Sequence, residues 1–182
     1  VVVAAATADG AQLALGIEQL EHGAGVIRQS AYDAEVEIEM VAEAGRLTLQ
    51  WFRQPGLDIE RKGDGTPVTA ADKATERFLR EQIAGRYPDD AILGEEEAPT
   101  VGTSGRRWVI DPIDGTKAFT HGVPLYCNLL AIEDEHGPAV GIINVPALDE
   151  MVAAGRGLGC YCNGERVHVS EHDAVRGAYL ST

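Results

Sequence analysis

Two short apolar runs of this sequence each end on carboxylates, and these carboxylates are the residues best suited to chemistry. They are Glu95, Glu96, Glu97, Asp111 and Asp114. Carboxylates that gather at one point repel one another and raise one another's pKa values. A hard divalent cation removes this penalty, and oxygen ligands without His or Cys favour Mg²⁺ or Mn²⁺ over Zn²⁺. We therefore predict a magnesium site, provided that the two runs are neighbouring strands.

The second of these segments, Asp-Pro-Ile-Asp-Gly-Thr at 111–116, is the more informative. The glutamate triplet alone is also explained as a solvated charge run, and Asp, Pro and Gly are usual turn residues. Pro112, however, fixes the backbone between two aspartates, so both can point into one cavity while the Ile113 carbonyl supplies another oxygen. Gly115 lets a ligand approach the backbone closely. Thr116 can begin a helical turn, whose free amides favour an anion such as phosphate.

Regular patterns predict the elements that position these segments. An apolar stripe predicts a helix from Asp33 to Pro55, and a capping box at 69–72 opens a second helix that ends near Tyr87. Predicted strands lie at 57–60, 91–94, 108–110, 125–133, 139–145, 150–153, 159–162 and 166–169. Because helices come first and closely spaced strands follow, we predict an α+β fold with layered helices packed on a mainly antiparallel sheet. Residues 1–32, where Gly16, Gly23 and Gly25 interrupt a weak helical spacing, are predicted to be a poorly defined N-terminal extension.

The composition excludes several classes of protein. The 182 residues are 45% hydrophobic and 24% charged, with a net charge of −14 that disfavours nucleic acid as a partner. Three cysteines, an odd number, do not make a disulfide framework and indicate a reducing cytoplasmic location. No apolar run approaches the ~20 residues that cross a bilayer, so we expect no membrane partner.

Three segments together resemble the signature of the inositol monophosphatase family. They are Gly94-Glu95-Glu96, the nine residues Trp-Val-Ile-Asp-Pro-Ile-Asp-Gly-Thr at 108–116, and Val-Thr-Ala-Ala-Asp at 68–72. The resemblance covers roughly residues 35–182. It implies that family's sugar phosphatase fold and the hydrolysis of a small phosphorylated metabolite by metal-activated water. It also implies a homodimer and two or three Mg²⁺ per complete site, with Mn²⁺ as an alternative metal.

The resemblance further implies which residues bind the metals. Glu95, Asp111 and the carbonyl of Ile113 would bind the first ion. Asp111 would bridge to a second ion, which Asp114 also holds. Glu96 would lie just outside this set of ligands.

Other matching residues would act on water and phosphate. Glu95 and Thr116 would orient and deprotonate the attacking water, with Asp72 hydrogen-bonded to Thr116. Asp72 is also explained as the acid of the capping box, and the two roles are compatible. The amides of Gly115 and Thr116 would bind the phosphate. Lys62, before the 68–72 motif, stands where the family has a basic residue that offsets the carboxylate charge; an exposed turn lysine is the alternative.

Two later stretches indicate the substrate. Residues 117–125 and 146–151 resemble the histidinol-phosphate phosphatases of the family, which implies hydrolysis of histidinol phosphate to histidinol and phosphate. Inositol 1-phosphate and 3′(2′),5′-bisphosphate nucleotides are the alternative substrates.

The sequence departs from the family in its second half. The family's Trp-Asp-x-x-Ala-Gly motif, which completes the second metal site, is absent, because Phe52 and Val109 follow the two tryptophans. We therefore expect residues 33–182 to be the N-terminal metal-binding α+β domain of a phosphatase, without the C-terminal domain. We also expect the 182-residue chain to have little activity by itself. A truncated, non-catalytic remnant that binds a cation or a partner is the alternative from another functional class.

Several residues are not assigned to the site. Cys127 lies in an apolar strand and is predicted to be in the core. His121 follows the signature and is predicted to be a surface residue. Cys160 and Cys162 lack the further ligands that a zinc site needs.

Overall fold

The structure of the chain, a computed structural model, describes residues 34–63, 65 and 67–171. The predicted N-terminal extension at 1–32 lies outside the described residues. The helices are α1 (Ala34–Leu49), α2 (Ala70–Arg86) and α3 (Thr116–Thr120), with a 3-10 helix at Pro146–Leu148. The strands are β1 (Ile59–Arg61), β2 (Pro67–Thr69), β3 (Ala91–Leu93), β4 (Arg107–Asp114), β5 (Cys127–Asp134), β6 (Gly137–Val145), β7 (Glu150–Gly155), β8 (Gly159–Cys162) and β9 (Glu165–Val167).

Seven of these strands form one sheet in the order of the chain, from β3 to β9. β3 and β4 are parallel, and every later neighbour is antiparallel. Strands β1 and β2 form a separate antiparallel hairpin. The mainly antiparallel α+β fold is therefore confirmed, and the two strands that carry the carboxylates are neighbours.

Helices α1 and α2 cover one face of the large sheet. Alternate residues of the strands point to these helices and are buried, as the period of a strand requires. The main buried cluster contains Met40, Val41, Ala44, Leu79, Ile83, Trp108, Ile110, Leu130, Ile132 and Ile142. The predicted layers of helix and sheet are confirmed, and none of the helices in the described part of the chain is long and apolar enough to cross a membrane.

Local signals explain where the elements begin and end. Thr69 caps α2 by accepting hydrogen bonds from the amides of Ala71 and Asp72, and the Asp72 carboxylate accepts one from the Thr69 amide at 2.8 Å. The predicted capping box is therefore confirmed. The first helix ends at Leu49, earlier than the apolar stripe predicted, and β1 begins two residues later than predicted. The fourth strand does not end at Ile110 but continues to Asp114.

Candidate active site

A bulge near the end of β4 determines where its aspartates point. Asp111 is paired with Leu129 of β5, and Asp114 is paired with Cys127, so three steps along β4 match two along β5. Residues three apart on a regular strand would face opposite sides of the sheet. The extra residue reverses this parity, and both residues of Pro112–Ile113 are buried where the alternation shifts. Both aspartates therefore line the same cavity.

This arrangement disfavours the charged form of the Asp111 carboxylate. Burial raises its pKa to about 8, and the charge of Glu95, a hydrogen bond with Glu95 and the charge of Asp114 act in the same direction. Its Oδ1 atom is buried without a hydrogen-bond partner among the described residues. Asp111 is therefore an acid that holds a proton near neutral pH unless another cation takes its place.

The loop that carries Glu95 rests on a buried ion pair of helix α2. The carboxylate of Glu76 is fully buried and accepts hydrogen bonds from the amides of Glu96 and Glu97, at 2.6 and 2.9 Å. Arg80 donates to Glu76 at 2.8 Å and to the Glu97 carbonyl at 3.0 Å. Together these contacts hold the triplet at the end of β3.

The roles of Glu76 and Arg80 were not predicted from the sequence, because charged residues on a helix are usually exposed. The available signal was their i, i+4 spacing, because each follows directly after a residue that is buried on the same helix, Thr75 or Leu79. Gly94 shows how tightly this pair is packed: a Cβ atom there would lie 2.0 Å from Glu76 Oε1. Only glycine fits between the end of β3 and the buried carboxylate.

The side chain of Lys62 forms ion pairs with the first two glutamates of the loop, Glu95 and Glu96. Its ammonium group lies 2.6 Å from Glu95 Oε1 and 2.7 Å from Glu96 Oε1. Partial burial lowers the pKa of Lys62, but the hydrogen bonds and charges of both glutamates outweigh it and raise the pKa. Burial raises the pKa of Glu96, and its contact with Lys62 opposes that rise. Lys62 is thus a cation among the carboxylates, not a solvated turn residue.

Asp72 and Thr116 meet at the start of helix α3. The hydroxyl of Thr116 lies 3.3 Å from Asp72 Oδ1 and 3.0 Å from the Ile113 carbonyl oxygen, and its one proton serves one acceptor at a time. Burial raises the pKa of Asp72, while hydrogen bonds from Thr69 and Thr116 hold the pKa back. Both predicted contacts of Asp72, with the cap and with Thr116, are present in one buried carboxylate.

Gly115 precedes Thr116 in a left-handed conformation, with φ of +80°. Glycine adopts this conformation at little cost, whereas a Cβ atom here would lie 3.2 Å from the Leu125 carbonyl. The residue is exposed and ends the bulged strand where α3 begins. A ligand can therefore approach the backbone at this point without meeting a side chain.

One cavity of about 960 Å³ is lined by the predicted site residues Glu95, Asp111, Ile113, Asp114, Gly115 and Thr116. The predicted residues Lys62, Asp72 and Glu96 are not among those that line it. Cys127, predicted to be in the core, instead lines it, because its strand position faces away from α1 and α2. Its Sγ atom lies 3.6 Å from Asp114 Oδ2, and burial, helped by Asp114, raises the pKa of the thiol to about 12. His121 is exposed, as predicted, and also lines the cavity, where its Nδ1 lies 2.8 Å from the Lys117 carbonyl.

The donor set fits a hard cation, although the side chains are not gathered around one point. Within residues 34–63, 65 and 67–171, no group of three or more His, Cys, Asp or Glu side chains is arranged to hold a metal ion. Glu95 instead contacts Lys62. A divalent cation would nevertheless offset the charges of Glu95 and Asp114, which raise the pKa of Asp111. It would also be a partner for the buried Oδ1 atom of Asp111, which has none among the described residues.

Comparison with known proteins gives a consistent result. The inositol monophosphatase family matches residues 30–182. A histidinol-phosphatase of Chlorobaculum parvum is 46% identical over 138 residues, which are 76% of this chain and 53% of that protein. A histidinol-phosphatase of Mycobacterium tuberculosis is 38% identical over 82% of this chain and 59% of its own length. An inositol-1-monophosphatase of Rhizobium meliloti is 35% identical over 81% of this chain and 56% of its own length.

Solved structures agree with these sequence relatives. The extragenic suppressor protein suhB of Bartonella henselae is 30% identical and superposes with a TM-score of 0.73, covering 76% of this chain and 55% of that one. An IMPase of Thermotoga maritima is 34% identical with a TM-score of 0.69, covering 76% and 54%. The chain thus spans about half the length of the relatives that it matches.

Proposed function

This chain belongs to the inositol monophosphatase family, and on that premise we propose that it hydrolyses a small phosphate monoester with Mg²⁺ as cofactor. One observation carries the proposal. The bulge of β4 brings Asp111 and Asp114 into one cavity with Glu95, and a buried oxygen of Asp111 has no hydrogen-bond partner among the residues that the structure describes. A cation that binds among these acids would offset the repulsion between their carboxylates.

The carboxylates of Glu95, Asp111 and Asp114, with the Ile113 carbonyl, would hold the metal. Two or three Mg²⁺ per complete site, with Mn²⁺ as an alternative, is the number that the family resemblance implies. Bound Mg²⁺ supplies a Lewis acid that lowers the pKa of water and stabilises charge on phosphoryl oxygens. Glu96 would lie just outside this set, as the family resemblance implies, and both Glu95 and Glu96 contact Lys62 in the structure.

Thr116 and Asp72 control a proton beside the metal ligands. The Asp72 carboxylate, held by Thr69 on one oxygen, accepts from the Thr116 hydroxyl on the other. When that hydroxyl donates to Asp72, its lone pairs are free to accept a proton or a hydrogen bond from water. Glu95 is the second acceptor that would orient the water, so the pair determines the direction of attack.

The phosphate would lie at the start of α3. Gly115 leaves the backbone open, and the amides of Gly115 and Thr116 are donors for phosphate oxygens. Lys62 balances part of the negative charge around the ligands, which otherwise repels an anionic substrate.

We propose histidinol phosphate as the substrate. Support comes from the names of two relatives, the histidinol-phosphatases that are 46% and 38% identical to this chain. Inositol 1-phosphate is the second candidate, because relatives with 32% and 35% identity carry inositol monophosphatase names.

Phosphate release tests this proposal in the natural polypeptide that carries residues 33–182. We expect release from histidinol phosphate with Mg²⁺ and none with a chelator. Faster release from inositol 1-phosphate would contradict histidinol phosphate as the substrate, but it would still support the hydrolysis of a phosphate monoester. No release from either substrate, or from a 3′-phosphorylated nucleotide, would contradict the enzymatic function and favour the non-catalytic remnant.

Three broader assignments are part of the same proposal. Residues 33–182 are the metal-binding α+β domain. The protein is a homodimer, an assignment that rests on the family resemblance and is tested by sedimentation. Its location is cytoplasmic, for which the free thiols of Cys127, Cys160 and Cys162 are the support.

A further inference from the structure

The regular pairing of β4 with β5 is interrupted at the bulge of β4. Between the pairs Asp111–Leu129 and Asp114–Cys127, the register of β4 with β5 skips Pro112 and Ile113. A buried carbonyl without a hydrogen bond is costly. The carbonyl of Pro112 is therefore the point at which this bulge needs a donor from elsewhere.

Asn128 supplies that donor. It is the β5 residue between the two pairs, it is fully buried, and its Nδ2 donates to the Pro112 carbonyl at 2.6 Å. The direction of the bond is fixed, since a carbonyl only accepts. An ordinary apolar residue of a core strand at this position would leave the carbonyl unpaired.

A second amide keeps Asn128 in this orientation. The Nδ2 of Asn144, on β6, donates to Asn128 Oδ1 at 3.1 Å and to the Val41 carbonyl of α1 at 3.3 Å. Gly45 of α1 makes room for it, because a Cβ atom at that residue would lie 2.2 Å from Asn144 Nδ2. The chain of bonds therefore runs from α1 through β6 and β5 to the bulge.

We infer that Asn128 is a positioning residue for the metal ligands. By holding the Pro112 carbonyl, it keeps the extra residue in β4 and so keeps Asp111 and Asp114 on one face of the sheet. The effect on the metal rests on the proposed function, whereas the effect on the bulge does not. Without the bond, the backbone between the aspartates is free to move, and the two carboxylates lose their fixed separation.

The test compares two variants of the 182-residue chain. Asn128→Leu removes the donor to Pro112 and keeps the number of side-chain heavy atoms. Thr48→Val is the control, because it removes a fully buried hydroxyl that donates to the Gly45 carbonyl at 2.8 Å and leaves the bonds of Asn128 and Asn144 in place. Both are expected to lower the midpoint of urea unfolding. If Asn128→Leu does not fold, Asn128→Ser, which is too short to reach Pro112, takes its place.

Two measurements separate positioning from stability. In metal-free protein, we expect hydrogen exchange at amides 113–116 to be about tenfold faster in Asn128→Leu, as for the loss of one hydrogen bond, and little changed in Thr48→Val. In a Mn²⁺ titration, we expect Asn128→Leu to bind about 10–100-fold more weakly, the usual effect of losing a group that supports a ligand.

The outcomes are distinct. Faster exchange and weaker Mn²⁺ binding in Asn128→Leu alone support the inference. Unchanged exchange, or equal loss of Mn²⁺ affinity in both variants, overturns it. Faster exchange in Asn128→Leu, together with a wild-type chain that binds no Mn²⁺, supports the role of Asn128 in the bulge and contradicts the metal-dependent function instead.

Discussion

The buried carboxylate of Glu76 accepts a hydrogen bond of 2.6 Å from the backbone amide of Glu96. A helix side chain thereby fixes the loop that presents Glu95 to the cavity. Glu76 holds this loop by its backbone amides, whereas the side chains of Glu95 and Glu96 contact Lys62.

Replacing Glu76 tests how far this loop depends on it. Glu76→Ala leaves Arg80 buried without its partner, and we expect the free energy of unfolding to fall by about 3–5 kcal/mol. Urea denaturation measures this change. Glu81→Ala, an exposed residue on the same helix, is the control and should cost less than about 0.5 kcal/mol. Equal costs for the two variants would mean that the buried pair does not support the loop.

The pKa of Asp111 predicts how stability varies with pH. It is about 8 in the folded chain, compared with an ordinary value of 3.8. Between these values the folded state keeps a proton that the unfolded state has lost. The free energy of unfolding of the metal-free chain should therefore fall as the pH rises through this range and level off above about 8.

Thermal unfolding of wild type and Asp111→Asn checks this slope. In the presence of Mg²⁺, the fall of wild-type stability with rising pH should become smaller or reverse. The reason is that a cation binds the deprotonated acid and gains affinity as pH rises. A wild-type slope no different from that of Asp111→Asn would show that Asp111 titrates normally.

Lys62 competes with a metal for the ligand Glu95, so its removal should strengthen cation binding. We expect Lys62→Met to bind Mn²⁺ roughly 3–10-fold more tightly at low salt, the order of one charge at a partly exposed site. Lys73→Met, which removes an exposed lysine paired with Glu60, is the control and should change little. Weaker binding in Lys62→Met would instead mean that Lys62 holds the glutamates in place for the metal.

Thr116 is expected to matter for turnover more than for folding. Thr116→Val removes the hydroxyl next to Asp72 at similar volume, and kcat in the natural polypeptide should fall about 10²–10⁴-fold, the usual contribution of a positioned proton acceptor. Thr116→Ser should restore most of it. Thr100→Val is the control: it removes a hydroxyl of an exposed threonine that is not among the residues lining the cavity, and it should leave kcat within about threefold, since surface changes of this kind are small. A Thr116→Val enzyme as fast as wild type would remove Thr116 from the chemistry.

The sequence was most informative where residue type alone dictates structure. Two apolar strands that end on acids predicted a convergence of carboxylates, and Thr69 with Asp72 predicted the helix cap that the structure contains. The bulge was not predictable in this way. Proline usually ends a strand, so β4 was expected to stop at Ile110, whereas pairing with β5 carries it on to Asp114.

Long-range contacts explain what else the sequence could not reveal. Glu76, Arg80 and Asn128 acquire their roles from partners 16 to 21 residues away in the chain. Cys127 has the apolar neighbours of a core residue, and only the sheet face that it occupies turns it toward Asp114. Patterns within one segment predict elements, but not which face of a sheet the helices leave open.

Titration of Mn²⁺ into the chain, followed by electron paramagnetic resonance, tests the central claim most directly. We predict that the wild-type chain removes the signal of free Mn²⁺, that Mg²⁺ competes for the same site, and that Asp111→Asn binds at least ~10-fold more weakly. A folded wild-type chain that leaves the free Mn²⁺ signal unchanged, or an Asp111→Asn chain that binds as well as wild type, would contradict it.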